Sequence, residues 1–202
     1  MIQEVFPSLI ATGRLAGNTK LNKELLREIN ILAEMDEPGV RWSKKNYVGG
    51  YSSYSSLTQL HHTSPNFAEL EKGLRPHVKQ MIKKLQWDLL GRKVEMTTCW
   101  ANRMGKGTHH TLHLHPLSVL SGVYFVATPQ GSSRFKMEDP RMERLMASPP
   151  RKTNSDRKNR PYIEFDPRPG DFILFESWMK HEVPPHRGDK PRVSISFNYE
   201  WL

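Results

Sequence analysis

From residue 94 onward the apolar pattern of the chain changes period, and that change limits the folds open to it. VEMTTCWANR (94–103), LSGVYFVAT (120–128), SSRFKMED (132–139), PYIEFDP (161–167), GDFILFES (170–177) and RVSISFNYEW (192–201) are short runs rich in β-branched and aromatic residues. Gly, Pro and Asp punctuate them, which is the signature of strands joined by tight connections. About six strands are predicted here. Upstream the period is helical. Leu21, Leu25, Ile29 and Leu32 recur in residues 21–35, with Thr19 or Asn22 as candidate caps. After Asn66 the residues Phe67, Leu70, Leu74, Val78, Met81, Ile82 and Leu85 repeat every three or four positions, and Pro76 predicts a kink or break near Arg75. RWSKKNYVGGYSSYSSL (41–57) lies between them and reads as a loop. The expected fold is mainly β, an antiparallel barrel or jelly roll with N-terminal helices packed on one sheet and given no chemistry. A chain of 202 residues suits one domain, with 1–93 as helical support and 94–202 as the β core.

Composition excludes several classes. No stretch approaches the roughly 20 apolar residues of a membrane-spanning helix, and the N-terminus lacks the basic start and apolar run of a signal peptide. Cys99 is the only cysteine, so an internal disulfide and a Cys-rich zinc site are both excluded, and a cytoplasmic, reducing setting is expected. The formal charge of +9 invites a nucleic-acid reading. The basic residues, however, form separate islands at 44–45, 83–84 and 151–160, the last a Pro-flanked hydrophilic stretch expected to be a loop. Nucleic acid is therefore not the expected partner.

Four of the nine histidines, His109, His110, His113 and His115, stand just ahead of the LSGVYFVAT strand. Residues i and i+2 of an extended strand share a face, so His113 and His115 can both point inward. His181 follows the GDFILF strand, and Arg192 opens the last one. A non-haem Fe(II) centre needs about three facial protein ligands with positions left open for cosubstrate and O₂. His113, His115 and His181 could supply them, and Arg192 could pair with the far carboxylate of a dicarboxylic cosubstrate. Ser194 shares the face of Arg192.

These residues carry a resemblance. HLHPLSVLSGVYFVATP, FKMEDPR, PGDFILFESWMKHEV and RVSISFNYEW together resemble a family of 2-oxoglutarate/Fe(II)-dependent oxygenases of unassigned substrate, over about residues 94–202. The resemblance implies a double-stranded β-helix (jelly-roll, cupin-like), Fe(II), 2-oxoglutarate as cosubstrate and O₂. It further implies hydroxylation of a C–H bond in a small-molecule or peptidyl substrate, with release of succinate and CO₂. One position departs from the broader superfamily, where the second ligand is Asp or Glu and this chain has His115. Either His115 completes an all-His triad, which the same-face spacing favours, or it supports a site with only His113 and His181. Two alternatives stand beside this reading: an all-His dioxygenase that does not use 2-oxoglutarate, and a non-catalytic metal-binding barrel.

Other residues are read more plainly. His109 and His110 are expected in solvated loop or as partners of the ligands, His186 in a loop, and His61 and His62 without a role. Trp100 and Asn102 share a strand face, and Asn102 could bind cosubstrate. Tyr124 and Phe125 must face opposite ways. Asp139 and Arg141 read equally as a turn pair or as functional groups.

Overall fold

The computed structural model describes residues 1–202. Ten strands form two antiparallel sheets. Strands β1 (Ile10–Arg14), β2 (Tyr51–Ser52), β3 (Val94–Met104), β5 (Leu120–Ala127), β8 (Asp171–Glu176) and β10 (Arg192–Trp201) make a six-stranded sheet in the order β1-β8-β5-β10-β3-β2. Strands β4 (His110–His113), β6 (Phe135–Glu138), β7 (Tyr162–Phe165) and β9 (His181–Val183) make a four-stranded sheet in the order β4-β9-β6-β7.

The six runs expected beyond residue 94 are all strands. Two more strands there, β4 (HTLH) and β9 (HEV), are too short and too rich in histidine to show a run of β-formers. The edge strand β1 also lies in a stretch given no structure from sequence.

Alternation along the central strand β10 divides the molecule. Val193, Ile195, Phe197 and Tyr199 face the helices and join a core of 22 residues. Arg192, Ser194, Ser196 and Asn198 face the space between the sheets. The first core is filled from α1 (Asn18–Met35) by Leu21, Leu25 and Ile29, and from α4 (Pro65–Leu85) by Phe67, Leu70, Leu74, Val78 and Met81. Each such side chain contributes about 1.5–3 kcal/mol on burial. A second core of ten residues, among them Val123, Phe125, Phe135, Ile173 and Phe175, lies between the two sheets. Tyr124 accordingly belongs to the helix-side core and Phe125 to the inner one.

Three helical expectations are corrected. Helix α1 starts at Asn18 behind Gly17, whose φ of 65° is left-handed, and neither Thr19 nor Asn22 caps it. Asn22 is instead buried and accepts a hydrogen bond from Tyr124 at 2.6 Å. Helix α4 runs through Pro76 without a break. Both Pro76 and Lys72, whose carbonyl loses its donor, are on the exposed face, where water can serve that carbonyl. Five buried side chains span the proline on the other face. The first six residues of the segment read as a loop, 41–46, belong to α2 (Glu37–Asn46), capped by Asp36, which accepts from the Gly39 N–H at 3.2 Å with Pro38 in the first turn. The short α3 (Leu60–Thr63) precedes α4. No helix is long and apolar enough to cross a membrane.

Candidate active site

Strand β4 pairs antiparallel with β9, and the register sets His113 directly opposite His181. His115 lies two residues beyond His113, just past the strand end, where its N–H still donates to the Ser177 carbonyl at 3.0 Å. Leu112 and Leu114 are exposed while His113 and His115 turn inward, as a two-residue period requires. One nitrogen from each of His113, His115 and His181 lies within 4.8 Å of the others. The Nε2 atoms of His115 and His181 are 3.2 Å apart. Neighbouring ligands at right angles, each about 2.1 Å from a metal, would be separated by about 3 Å.

Backbone carbonyls fix the two facing rings. The Nδ1–H of His113 donates to Thr111 O at 2.6 Å, and that of His181 donates to Met179 O at 3.0 Å. Each bond selects the tautomer whose Nε2 carries a lone pair toward the cluster. Phe135 and Phe175 pack on His181 with ring centroids 5.2 and 4.8 Å away. Burial, reinforced by the charge of His113, pushes His181 down to about 2 and His115 down to about 4. His181 and His115 can therefore be neutral donors at neutral pH. The donor set fits a divalent metal.

The same cavity, about 770 Å³, is lined by Arg192, Ser194, Ser196 and Asn198 of β10. Arg192 is 1% exposed. Its Nη1 donates to Ser194 Oγ at 3.3 Å and contacts Met104 Sδ at 3.2 Å, and its guanidinium sits over the Phe125 ring. Nε and Nη2 have no acceptor in the protein, and burial lowers this guanidinium to about 10. A buried guanidinium with two free N–H groups and no acidic partner is costly unless an anion completes it. The pair fits the bidentate geometry of a carboxylate.

Other residues sort differently. The Asn102 carbonyl accepts from Ser52 Oγ at 2.8 Å and its amide donates to Ser196 Oγ at 3.0 Å, so much of its capacity is already used within the wall. His109 is exposed. His110 is not solvated: its Nε2 shares a hydrogen bond with the Tyr47 hydroxyl at 2.6 Å, and burial lowers it to about 3. His186 is in a loop as expected, but it is buried and bonded to Lys190 O at 2.9 Å. His61 is held by Met96 O at 2.9 Å. Asp139 accepts from the Arg141 backbone and side chain, a turn pair that is not part of the cavity lining. Sequence reasoning missed Trp42 and Tyr47, which reach the cavity from α2 and its C-cap. The helix-start signal at Asp36–Pro38 could have placed them.

A family profile described as putative 2OG-Fe(II) oxygenase matches residues 98–198, which is 101 of the 202 residues. The chain belongs to this family. It is a 2-oxoglutarate-dependent non-haem iron oxygenase, with Fe(II) and 2-oxoglutarate as its cofactor and cosubstrate. Comparison with curated protein sequences finds no match. Among solved structures, a prolyl-4-hydroxylase of Pseudomonas putida is 12% identical at TM-score 0.65, over 96% of this chain and 92% of that one. The epimerase SnoN, crystallised with Fe3+, alpha ketoglutarate and nogalamycin RO, is 13% identical at TM-score 0.66, over 96% and 79%. Of a 2OG-Fe(II) oxygenase-family protein from Burkholderia pseudomallei the chain spans about half, 47%, at 21% identity and TM-score 0.43. At these identities the first two likenesses establish the fold, a double-stranded β-helix. Family membership decides against the all-His dioxygenase without 2-oxoglutarate and against the non-catalytic barrel.

Proposed function

We propose that His113, His115 and His181 hold the iron, that Arg192 with Ser194 holds the distal carboxylate of 2-oxoglutarate, and that the product is a hydroxylated C–H bond. The observation that carries this reading is the buried Arg192 guanidinium, with Nε and Nη2 unpartnered, in the wall of the cavity the three histidines enter. When bound, Fe(II) with 2-oxoglutarate and O₂ supplies oxidative decarboxylation to succinate and CO₂, with the second oxygen atom going to the substrate.

The chain's own part is placement and exclusion. Met179 O and Thr111 O hold the His181 and His113 rings with their lone pairs inward. Phe135, Phe175 and Val183 form a wall that keeps water from the triad. Ser194 Oγ holds Nη1 of the Arg192 guanidinium and leaves Nε and Nη2 for the carboxylate. Asn102 fits better as a wall residue that positions Ser196 than as a cosubstrate ligand. The domain reading, 1–202 as one unit with 1–93 supporting 94–202, agrees with the core shared by helices α1 and α4 and the six-stranded sheet.

The test is anaerobic titration of the Fe(II)-loaded protein with 2-oxoglutarate, following the visible metal-to-ligand charge-transfer band. The band should appear with wild-type protein, and reaching it with Arg192→Ala should take far more cosubstrate. A band of unchanged midpoint in the variant would remove Arg192 from its role. No band despite bound iron would remove the cosubstrate arrangement altogether.

A further inference from the structure

The cavity is one-sided in charge. The chain carries 21 acidic residues, yet no Asp or Glu lines the cavity, whereas Arg192, Lys45 and Lys106 do. Lys106 is paired at the rim with Asp189 at 2.8 Å. Lys45 is exposed and takes part in no ion pair. The triad adds no negative charge either, since His115 stands where a carboxylate ligand would have cancelled one charge of the metal. A divalent metal and Arg192 bring three positive charges, and the cosubstrate's two carboxylates cancel two. One net positive charge is left inside, with Lys45 outside it.

One wall is aromatic. Trp100 lies 5.9 Å from the His115 ring, Tyr54 lies 5.3 Å from Trp100, and Trp42 lies 6.2 Å from Tyr54. The row leads from an imidazole of the triad out to α2, and it ends one helical turn from Lys45. Residues i and i+3 of a helix are surface neighbours, so Trp42 and Lys45 meet the cavity together. Tyr54 is 53% exposed, unusual for a ring packed between two others. Aromatic rows bind planar rings edge to face or offset-stacked.

We infer that the prime substrate is an aromatic acid, its ring held along Trp100, Tyr54 and Trp42 and its anionic group received by Lys45 at the rim. This rests on the oxygenase reading above and narrows the substrate of that site. Arg192 is already committed to the cosubstrate and does not serve the substrate acid.

The test uses protein loaded with Mn(II) and saturating 2-oxoglutarate under argon, so that nothing turns over. Benzoate, phenylacetate and cinnamate, each beside its neutral amide, are titrated calorimetrically. At least one acid should bind about tenfold more tightly than its amide, the range of one charge-assisted contact. Lys45→Met should erase that preference, and Tyr54→Leu should weaken acid and amide alike. Both positions are exposed, so neither change threatens the fold. Equal binding of acid and amide, binding of none of the three pairs, or an undiminished preference in Lys45→Met would overturn the inference. So would an acid that displaces 2-oxoglutarate, because it would then be using Arg192. Failure of 2-oxoglutarate itself to load, measured first on the same samples, would strike the oxygenase reading instead.

Discussion

Replacing Arg192 by Met separates binding from folding. The side chain is 1% exposed, its Nη1 is held by Ser194, and its Nε and Nη2 have no protein partner. Truncating one member of a buried charge pair costs about 2–5 kcal/mol of affinity, which is about 30- to 4,000-fold in Kd. Folding responds the other way. A buried donor left unsatisfied costs about 1–3 kcal/mol, and Met fills similar space without that cost. For a chain of this size a kilocalorie moves the melting temperature by about 2–4 °C. The cofactor-free variant should therefore melt several degrees above the wild type, or no lower than it. Its stabilisation by added 2-oxoglutarate should nearly vanish, since that gain follows RT ln(1 + [L]/Kd). Thermal melts with and without 2-oxoglutarate, on metal-loaded and metal-free protein, check both halves. A cofactor-free Arg192→Met that melts well below the wild type, with the 2-oxoglutarate shift intact, would refute the reasoning.

At His115, Ala should lower iron affinity by more than the ~10–100-fold typical of a residue that merely supports a ligand. Asp at the same position should restore binding, and iron retained by His115→Ala within that range would leave a two-histidine site. Burial holds His115, His110 and His181 at about 4, 3 and 2, below the ordinary 6.5, so the folded state binds fewer protons than the unfolded one. Their stability is present above about pH 6.5 and is lost as pH falls through that value toward 4, by up to about 1.4 kcal/mol per pH unit for each group. Melts of metal-free protein from pH 7 to pH 5 should slope downward, less steeply in His110→Gln, and a flat profile would contradict the burial of these rings. Gly122→Ala would set a methyl 2.6 Å from Ile173 O on the central strand β5. It should cost about 1–3 kcal/mol, and an unchanged melting temperature would speak against the packing of β5 between β8 and β10.

How much was legible follows from what each residue had to satisfy. The long strands announced themselves because one face packs on helices: Val193, Ile195, Phe197 and Tyr199 interleave with Arg192, Ser194, Ser196 and Asn198, an alternation plain in RVSISFNY. Strands β4 and β9 showed no such run, since HTLH and HEV are short and set three histidines and a Glu among Thr, Leu and Val. The spacing of His113 and His115 forecast the shared direction of the two rings, and the structure brings them to His181. The Tyr47–His110 bond joins residues 63 apart, and no local pattern carries such a contact. The polar, Gly-rich run 41–57 reads as a loop although its first six residues finish α2, whose start signal, a proline in the first turn at Pro38, lies just upstream of that run. Of the kink or break expected at Pro76, the break is absent, because the proline faces water and its neighbours on the other face do not.

The cross-strand register of His113 and His181 has a mechanical consequence. Strands β4 and β9 are four and three residues long, too short to resist opening on hydrogen bonds alone. A shared ion would staple them, and would also close the stretch between His115 and His181, 66 positions apart. A covalent cross-link around a loop of that length removes on the order of 4 kcal/mol of chain entropy from the unfolded state. Amides of the smaller sheet should thus exchange with solvent readily until iron arrives and slowly afterwards, while those of β5 and β10 hardly notice. Half of this barrel would owe its rigidity to the atom it carries.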